Sequence, residues 1–218
     1  MTAQTIFLKH ANKLDPASKF RVSVLGSART KPEEMIYQET YDFCERLAQK
    51  HIGVVTGGGP GIMEAANHGH NAGNASSMSE SVGLTIELPF ESEGNDFLDR
   101  QQHFQKFSNR LDQFMKLSNV AVIMPGGIGT CLELFYTWQL IQVGHICHIP
   151  VILYGEMWKP LLEWVKTDLL AKGKISEKDL DLVCYAPDIA TVEKIIDESY
   201  ETFKQAGNEA CINLKKYQ

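Results

Sequence analysis

The sequence is short of several things, and each shortage excludes a class of protein. It has no apolar run near the roughly 18 residues that a membrane span needs. It has no low-complexity tract and no internal repeat. No C-x-x-C occurs, and the five cysteines (Cys44, Cys131, Cys147, Cys184 and Cys211) are odd in number and widely spaced. That pattern argues against a disulfide framework and for a reducing cytoplasm. The stretch Met1–Phe20 carries Lys9, His10, Lys13, Asp15 and Lys19 and no apolar h-region, so no secretory signal is expected. An excess of positive charge is missing too. Lys plus Arg number 21 against 27 Asp plus Glu, a net charge of −6. A protein that grips a nucleic-acid polymer needs a basic face, so that partner is not expected. A small anion is still open, because local dipoles hold it whatever the net charge.

What is present is ordinary globular material, 44% hydrophobic and 22% charged over 218 residues, enough for one larger domain with a real core. Short apolar runs recur at Val22–Leu25, Ile52–Val55, Val82–Ile86, Val120–Met124 and Ile149–Tyr154, with a weaker one at Leu180–Cys184. Each is nearly continuous rather than alternating, which is how a strand reads when helices cover both faces of its sheet. Helical periodicity lies between them. It predicts helices over Glu33–Lys50, Gly61–Ala72, Phe107–Ser118, Gly129–Val143, Met157–Ala171 and Ile189–Gln205, with a further one over Thr2–Asn12. Gly129–Val143 is strongly apolar and is expected to be buried. Leu88–Gln102 reads as the one long irregular stretch, and a loop of that length usually serves function. Strand alternating with helix implies an α/β fold, a Rossmann-like three-layer sandwich with a mostly parallel sheet, over residues 1–218 as a single domain.

Glycine gathers where three of these strands end: Val24-Leu-Gly-Ser-Ala28, Val55-Thr-Gly-Gly-Gly-Pro-Gly-Ile-Met63 and Met124-Pro-Gly-Gly-Ile-Gly-Thr130. Glycine lets a backbone approach a ligand closely, and the helix that follows offers free N–H groups and a positive dipole end. Three such turns on one rim point to a phosphate-bearing ligand. The P-loop spacing is absent. The dinucleotide spacing fails as well, since the position three after Gly59 is Ile62, and no convincing ribose-binding acid follows. A mononucleotide fits better than a dinucleotide.

Pro125-Gly-Gly-Ile-Gly-Thr-Cys-Leu-Glu133 matches the pattern Pro-Gly-Gly-x-Gly-Thr-x-x-Glu. By that motif the chain resembles the Lonely Guy proteins, the cytokinin riboside 5′-monophosphate phosphoribohydrolases, and their bacterial nucleotide nucleosidase relatives. Many of these once carried the label "possible lysine decarboxylase". Gly57–Asn67 resembles the first glycine motif in its bacterial form. Gly83–Phe90 and Phe104–Arg110 resemble the segments that follow, so the resemblance covers about residues 20–160 in order.

The resemblance implies cleavage of the N-glycosidic bond of a nucleoside 5′-monophosphate, AMP or an N6-modified cytokinin nucleotide, to free base and ribose 5-phosphate. It implies a homodimer and no metal or redox cofactor. It assigns Arg110 and Glu133 as the catalytic pair. A carboxylate there can stabilise an oxocarbenium-like state or activate water, and an arginine can hold phosphate in a planar, bidentate contact. Glu133 is expected in the first turn of its helix, where Thr130-x-x-Glu133 also fits a capping box. Thr130, Gly126, Gly127 and Gly129 are the expected phosphate ligands, with Gly26, Ser27, Gly57, Gly58, Gly59 and Glu87 as further substrate contacts. Two residues depart from the family pattern. Leu111 stands where plant-type members commonly have Lys, and Leu132 where the residue before the glutamate is often acidic. Both departures bear on substrate and rate more than on fold.

Other constellations carry less. His68-x-His70 and His145-x-x-His148 with Cys147 lack the three or four convergent ligands of a zinc site. No lysine follows the glycine turns where pyridoxal phosphate would need one, so lysine decarboxylation is not expected. A non-catalytic carrier of a nucleotide or of molybdenum cofactor is the competing reading. The Arg110/Glu133 pair discriminates between them, because a pure carrier need not keep it.

Overall fold

The computed structural model describes residues 20–87 and 94–206. The proposed helix at Thr2–Asn12 and the first part of the Leu88–Gln102 stretch lie outside them. Seven strands form one sheet: β1 (Arg21–Leu25), β2 (Gly53–Thr56), β3 (Ser81–Ile86), β4 (Arg100–Phe104), β5 (Val120–Ile123), β6 (Val151–Tyr154) and β7 (Cys184–Ala186). Their order is β4-β3-β2-β1-β5-β6-β7, and every neighbouring pair is parallel.

Helices cover both faces, which is why the central strands are mostly apolar and buried end to end. On one face lie α1 (Met35–Gln49), α2 (Ile62–Gly73) and the last helix, α7 (Ile189–Ala206). Phe43, Leu47, Ile62, Ala66, Val192 and Ile196 pack there against Val22, Val54 and Val122. On the other face lie α3 (Phe107–Leu117), α4 (Ile128–Gln142) and α5 (Lys159–Trp164). Phe114, Leu134, Trp138, Ile141 and Trp158 pack against Leu25, Val55, Leu84 and Ile123. Each such buried side chain contributes about 1.5–3 kcal/mol relative to exposure.

Several expectations shift in detail. Arg100–Phe104 is a strand, not part of a loop; four of its five residues are exposed, so it carries no apolar signal. The stretch read as one helix over Met157–Ala171 is a 3₁₀ turn (Glu156–Trp158), then α5, then a π-helical turn (Val165–Leu170). The weak run at Leu180–Cys184 begins at the end of a four-residue helix, α6 (Glu177–Leu180), and only Cys184 belongs to β7. Met35, at the start of α1, is exposed, while Tyr37 and Thr40 are buried. α4 is not fully buried either, because Ile128, Leu132 and Phe135 are exposed along it. Cys44 and Cys184 are buried free thiols and Cys131 a half-buried one. Among the described residues, no helix is long and apolar enough to cross a membrane.

Candidate active site

The strand order reverses at β1, which has β2 on one side and β5 on the other. In open α/β sheets the ligand crevice lies outside the strand C-termini at such a reversal. The three glycine turns meet there. The Ser27 N–H donates to Pro125 O at 3.1 Å, tying the first turn to the third. The Ile62 N–H donates to Ser27 O at 2.9 Å, tying the first to the second. Gly61, immediately before it, has φ +69°, and a Cβ on it would run into the backbone of Ser27 and Ala28.

A cavity of about 520 Å³ opens between the turns, within the ~300–1,000 Å³ range of small-molecule sites. The first turn lends it Gly26, Ser27, Ala28 and Arg29; the second lends Gly57 and Gly59; the third lends Gly127, Ile128, Gly129 and Thr130. Met63, Thr85, Ile86 and Phe107 add wall, and Arg110 and Glu133 complete it. Nine of the residues nominated from the sequence thus line one cavity: Gly26, Ser27, Gly57, Gly59, Arg110, Gly127, Gly129, Thr130 and Glu133.

Arg110, the fourth residue of α3, is 8% exposed. Its Nε donates to Leu84 O at 2.6 Å and its Nη1 to Glu133 Oε1 at 3.4 Å. Its Cζ lies 5.3 Å from the centre of the Phe114 ring. The guanidinium also rests against Gly57, where a Cβ would collide with Nη2. The first turn of α3 thus aims a cation into the cavity, and Leu84, Glu133, Phe114 and Gly57 hold it in one orientation.

Glu133 projects from α4 beside it. Burial pushes its carboxyl up to about 7, and the Arg110 guanidinium opposes that rise. A carboxyl that titrates near neutrality can exchange protons with a substrate. Glu133 is the sixth residue of α4 rather than a first-turn residue, because the helix starts at Ile128 with Gly127 as its N-cap and no side-chain cap. The capping box expected at Thr130 and Glu133 does not form; one forms at Ser176 and Asp179 instead.

Three nominated residues fall outside the cavity lining. Gly58 turns its N–H onto Thr56 Oγ1 at 2.9 Å. Gly126 lies under the Thr130 side chain, which occupies the space a Cβ would take. Glu87 is exposed just beyond β3 and donates its N–H to Phe104 O at 3.0 Å. The lining also includes Ala28, Arg29, Met63, Thr85, Ile86, Phe107 and Ile128, none of which the motifs nominated. Arg29 had a signal, since it sits two residues after Ser27 and its N–H donates to Ser27 Oγ at 3.0 Å. The apolar ones had none, because an apolar residue at a helix start or a strand end reads as core.

The histidine pair of α2 has other employment. His68 stacks on Phe97 at 3.9 Å, and His70 is buried with its Nε2 3.0 Å from Ser79 Oγ. Among the described residues, no group of three or more His, Cys, Asp or Glu could hold a metal ion.

The family model described as "Possible lysine decarboxylase" matches residues 63–196, a span that contains both Arg110 and Glu133. The chain belongs to this family, the Lonely Guy family. Against curated proteins, this Lonely Guy family member is 30% identical over 101 residues to the pyrimidine/purine nucleotide 5′-monophosphate nucleosidase of Escherichia coli. The match covers 44% of this chain and 22% of that enzyme, so the chain spans about a fifth of its relative's length. Among solved structures, the molybdenum cofactor carrier protein of Chlamydomonas reinhardtii superposes with a TM-score of 0.59 at 20% identity, covering 84% of this chain and 99% of that one. The molybdenum cofactor binding protein of Rippkaea orientalis gives 0.57 at 21% identity, covering 83% and 96%. These likenesses show the shared fold.

Proposed function

We propose that the protein hydrolyses the N-glycosidic bond of a nucleoside 5′-monophosphate, AMP or an N6-modified analogue, to free base and ribose 5-phosphate. The observation that carries this reading is the buried Arg110–Glu133 pair facing a cavity walled by glycine turns. Kinship with the E. coli nucleosidase adds support.

In this reading the phosphate sits at the start of α4, against the amides of Gly127 and Gly129 and the Thr130 hydroxyl, with Ser27 and Arg29 facing it from the first turn. A helix N-terminus is favourable for an anion. The ribose then lies over Glu133. As the C1′–N bond breaks, its electron pair leaves with the base and positive charge develops on the sugar. The Glu133 carboxylate stabilises that charge and accepts a proton from the water that adds to C1′. The departing base takes up a proton, so none is gained or lost overall. Arg110 keeps Glu133 oriented and charged. Phe107, Ile128, Met63 and Ile86 offer the base an apolar surface.

The exposed row Ile128, Leu132 and Phe135, spaced four and three residues apart on α4, supports a homodimer across that helix. A cytoplasmic location is part of the same reading.

Incubation with AMP, GMP, CMP, UMP and isopentenyl-adenosine monophosphate, with base and ribose 5-phosphate separated by chromatography, tests it. Release of base from one or more of them is the expected result. Tight binding with no release from any favours the carrier reading.

A further inference from the structure

The second glycine turn is held from behind by a strap, residues 94–99, that leads into β4. Asn95 engages it with both its backbone N–H and its side-chain amide. Its N–H donates to Gly58 O at 2.8 Å. Its Nδ2 reaches Gly58 O at 3.2 Å, Gly59 O at 3.0 Å and Asn67 Oδ1 at 2.9 Å, and its Oδ1 accepts the Phe97 N–H at 3.1 Å. Asn67 is fully buried and extends the network. It accepts from Thr56 Oγ1 at 2.8 Å and donates to Ser81 Oγ at 2.8 Å. Thr56 Oγ1 in turn accepts the Gly58 N–H. Leu98 packs into the space left open by the missing side chains of Gly58 and Gly83.

This network has two consequences for the cavity. Two carbonyls of the turn, Gly58 and Gly59, are engaged by Asn95, so their partial negative charge is neutralised beside an anion site. The turn's position also sets the seat of Arg110, because the guanidinium bears directly on Gly57. A turn that relaxes frees that guanidinium to move away from Glu133, which lies at the long end of hydrogen-bond reach.

We infer that Asn95 is a positioning residue: through the Gly57–Gly59 turn it holds Arg110 against Glu133, and the strap it belongs to is a working part of the site. The inference rests on the proposed glycosidase reading for its catalytic consequence, but not for its structural one. The chain of contact runs from Asn95 to Gly58 and Gly59, through Gly57 to Arg110, and from Arg110 to Glu133.

The test uses the full chain with Asn95→Ala and Asn95→Ser, both neutral, so that no new charge disturbs Glu133. Three quantities are measured: the melting temperature, the titration of the Glu133 carboxyl by carbon NMR, and kcat and KM on whichever 5′-monophosphate wild type cleaves. The expected result is a kcat lower by roughly 10- to 100-fold, the cost of a small misplacement of a reacting group. The Glu133 midpoint should move upward, because the attracting guanidinium has withdrawn. A kcat within twofold of wild type and an unmoved midpoint overturn the inference. So does a loss of activity that only tracks a loss of folded protein while Glu133 in the folded fraction titrates as before. If one variant does not fold, the other decides. If wild type cleaves no 5′-monophosphate, the glycosidase reading fails, and the Glu133 titration alone decides the role of Asn95.

Discussion

Arg110 and Glu133 form an ion pair that joins α3 to α4 inside the cavity, their side chains only 9% and 12% exposed. Isolated, a buried carboxylate is costly, and a single guanidinium at 3.4 Å recovers only part of that cost. The carboxyl accordingly stays near neutrality in its titration rather than fully ionised. Glu133→Gln preserves shape and removes the proton-accepting function. It should lower kcat by roughly 10²–10⁴-fold, the usual span of general acid–base catalysis, with KM for the nucleotide little changed. Steady-state kinetics on the protein's best 5′-monophosphate measures this. A variant with wild-type kcat would mean that another group does the chemistry.

The same pair sets a pH dependence. In the proposed mechanism Glu133 acts as the carboxylate, so kcat should rise with pH through about 7 and level off above it. Arg110 opposes the burial effect, and Arg110→Gln should move that rise to higher pH as well as lower the plateau. Stability runs the opposite way. The folded carboxyl binds its proton more tightly than the unfolded one, so this contribution is full below the unfolded value of 4.5 and is lost as pH rises through about 7. Glu133→Gln should therefore raise the urea midpoint at pH 8 and leave it nearly unchanged at pH 4. Equal shifts at both pH values would show that the carboxyl is not perturbed by burial.

Much of this was legible in the sequence, and the exceptions have physical causes. Continuous apolar runs identified the strands that helices cover on both faces. β4 escaped because Arg-Gln-Gln-His-Phe lies at a sheet edge with little to bury, so no hydrophobic pattern marks it. The pairing of Arg110 with Glu133 was readable only through the motif, since the two are 23 residues apart and meet across two helices. Arg29, Thr85 and Phe107 enter the cavity by folding of the rim, which no local pattern encodes. Asn95 sat in a stretch read as irregular, yet its bonds to Gly58, Gly59 and Asn67 span about 30 residues of chain.

Arg29 lines the cavity from the first turn and is exposed, so its charge is available to a ligand. In the proposed binding mode it faces the phosphate, so it should discriminate nucleotides from nucleosides. Hydrogen bonds to charged groups contribute about 1.5–3 kcal/mol, so Arg29→Ala should weaken AMP binding roughly 10- to 100-fold. Adenosine binding should change little. Calorimetric titration with both ligands checks the difference. Equal weakening of AMP and adenosine would place Arg29 at the base or ribose instead.

A second titration lies away from the cavity, at His70 on α2. The ring is fully buried, and burial lowers its pKa to about 4, with the Asp99 carboxylate acting weakly the other way. Its Nε2 meets Ser79 Oγ, which in turn contacts Asn74, so the strand entry at β3 depends on a neutral ring. The unfolded chain takes up a proton near 6.5 and the folded one only near 4. This stability is therefore present above pH 6.5 and is lost as pH falls from there towards 4. His70→Gln keeps a polar group for Ser79 but has no proton to gain. It should start from a lower midpoint at pH 7.5, because a well-packed ring is replaced, and then show a flatter fall between pH 6.5 and 4.5. Urea midpoints at four or five pH values in that window check it. Parallel curves for wild type and variant would mean that the acid sensitivity arises elsewhere in the chain.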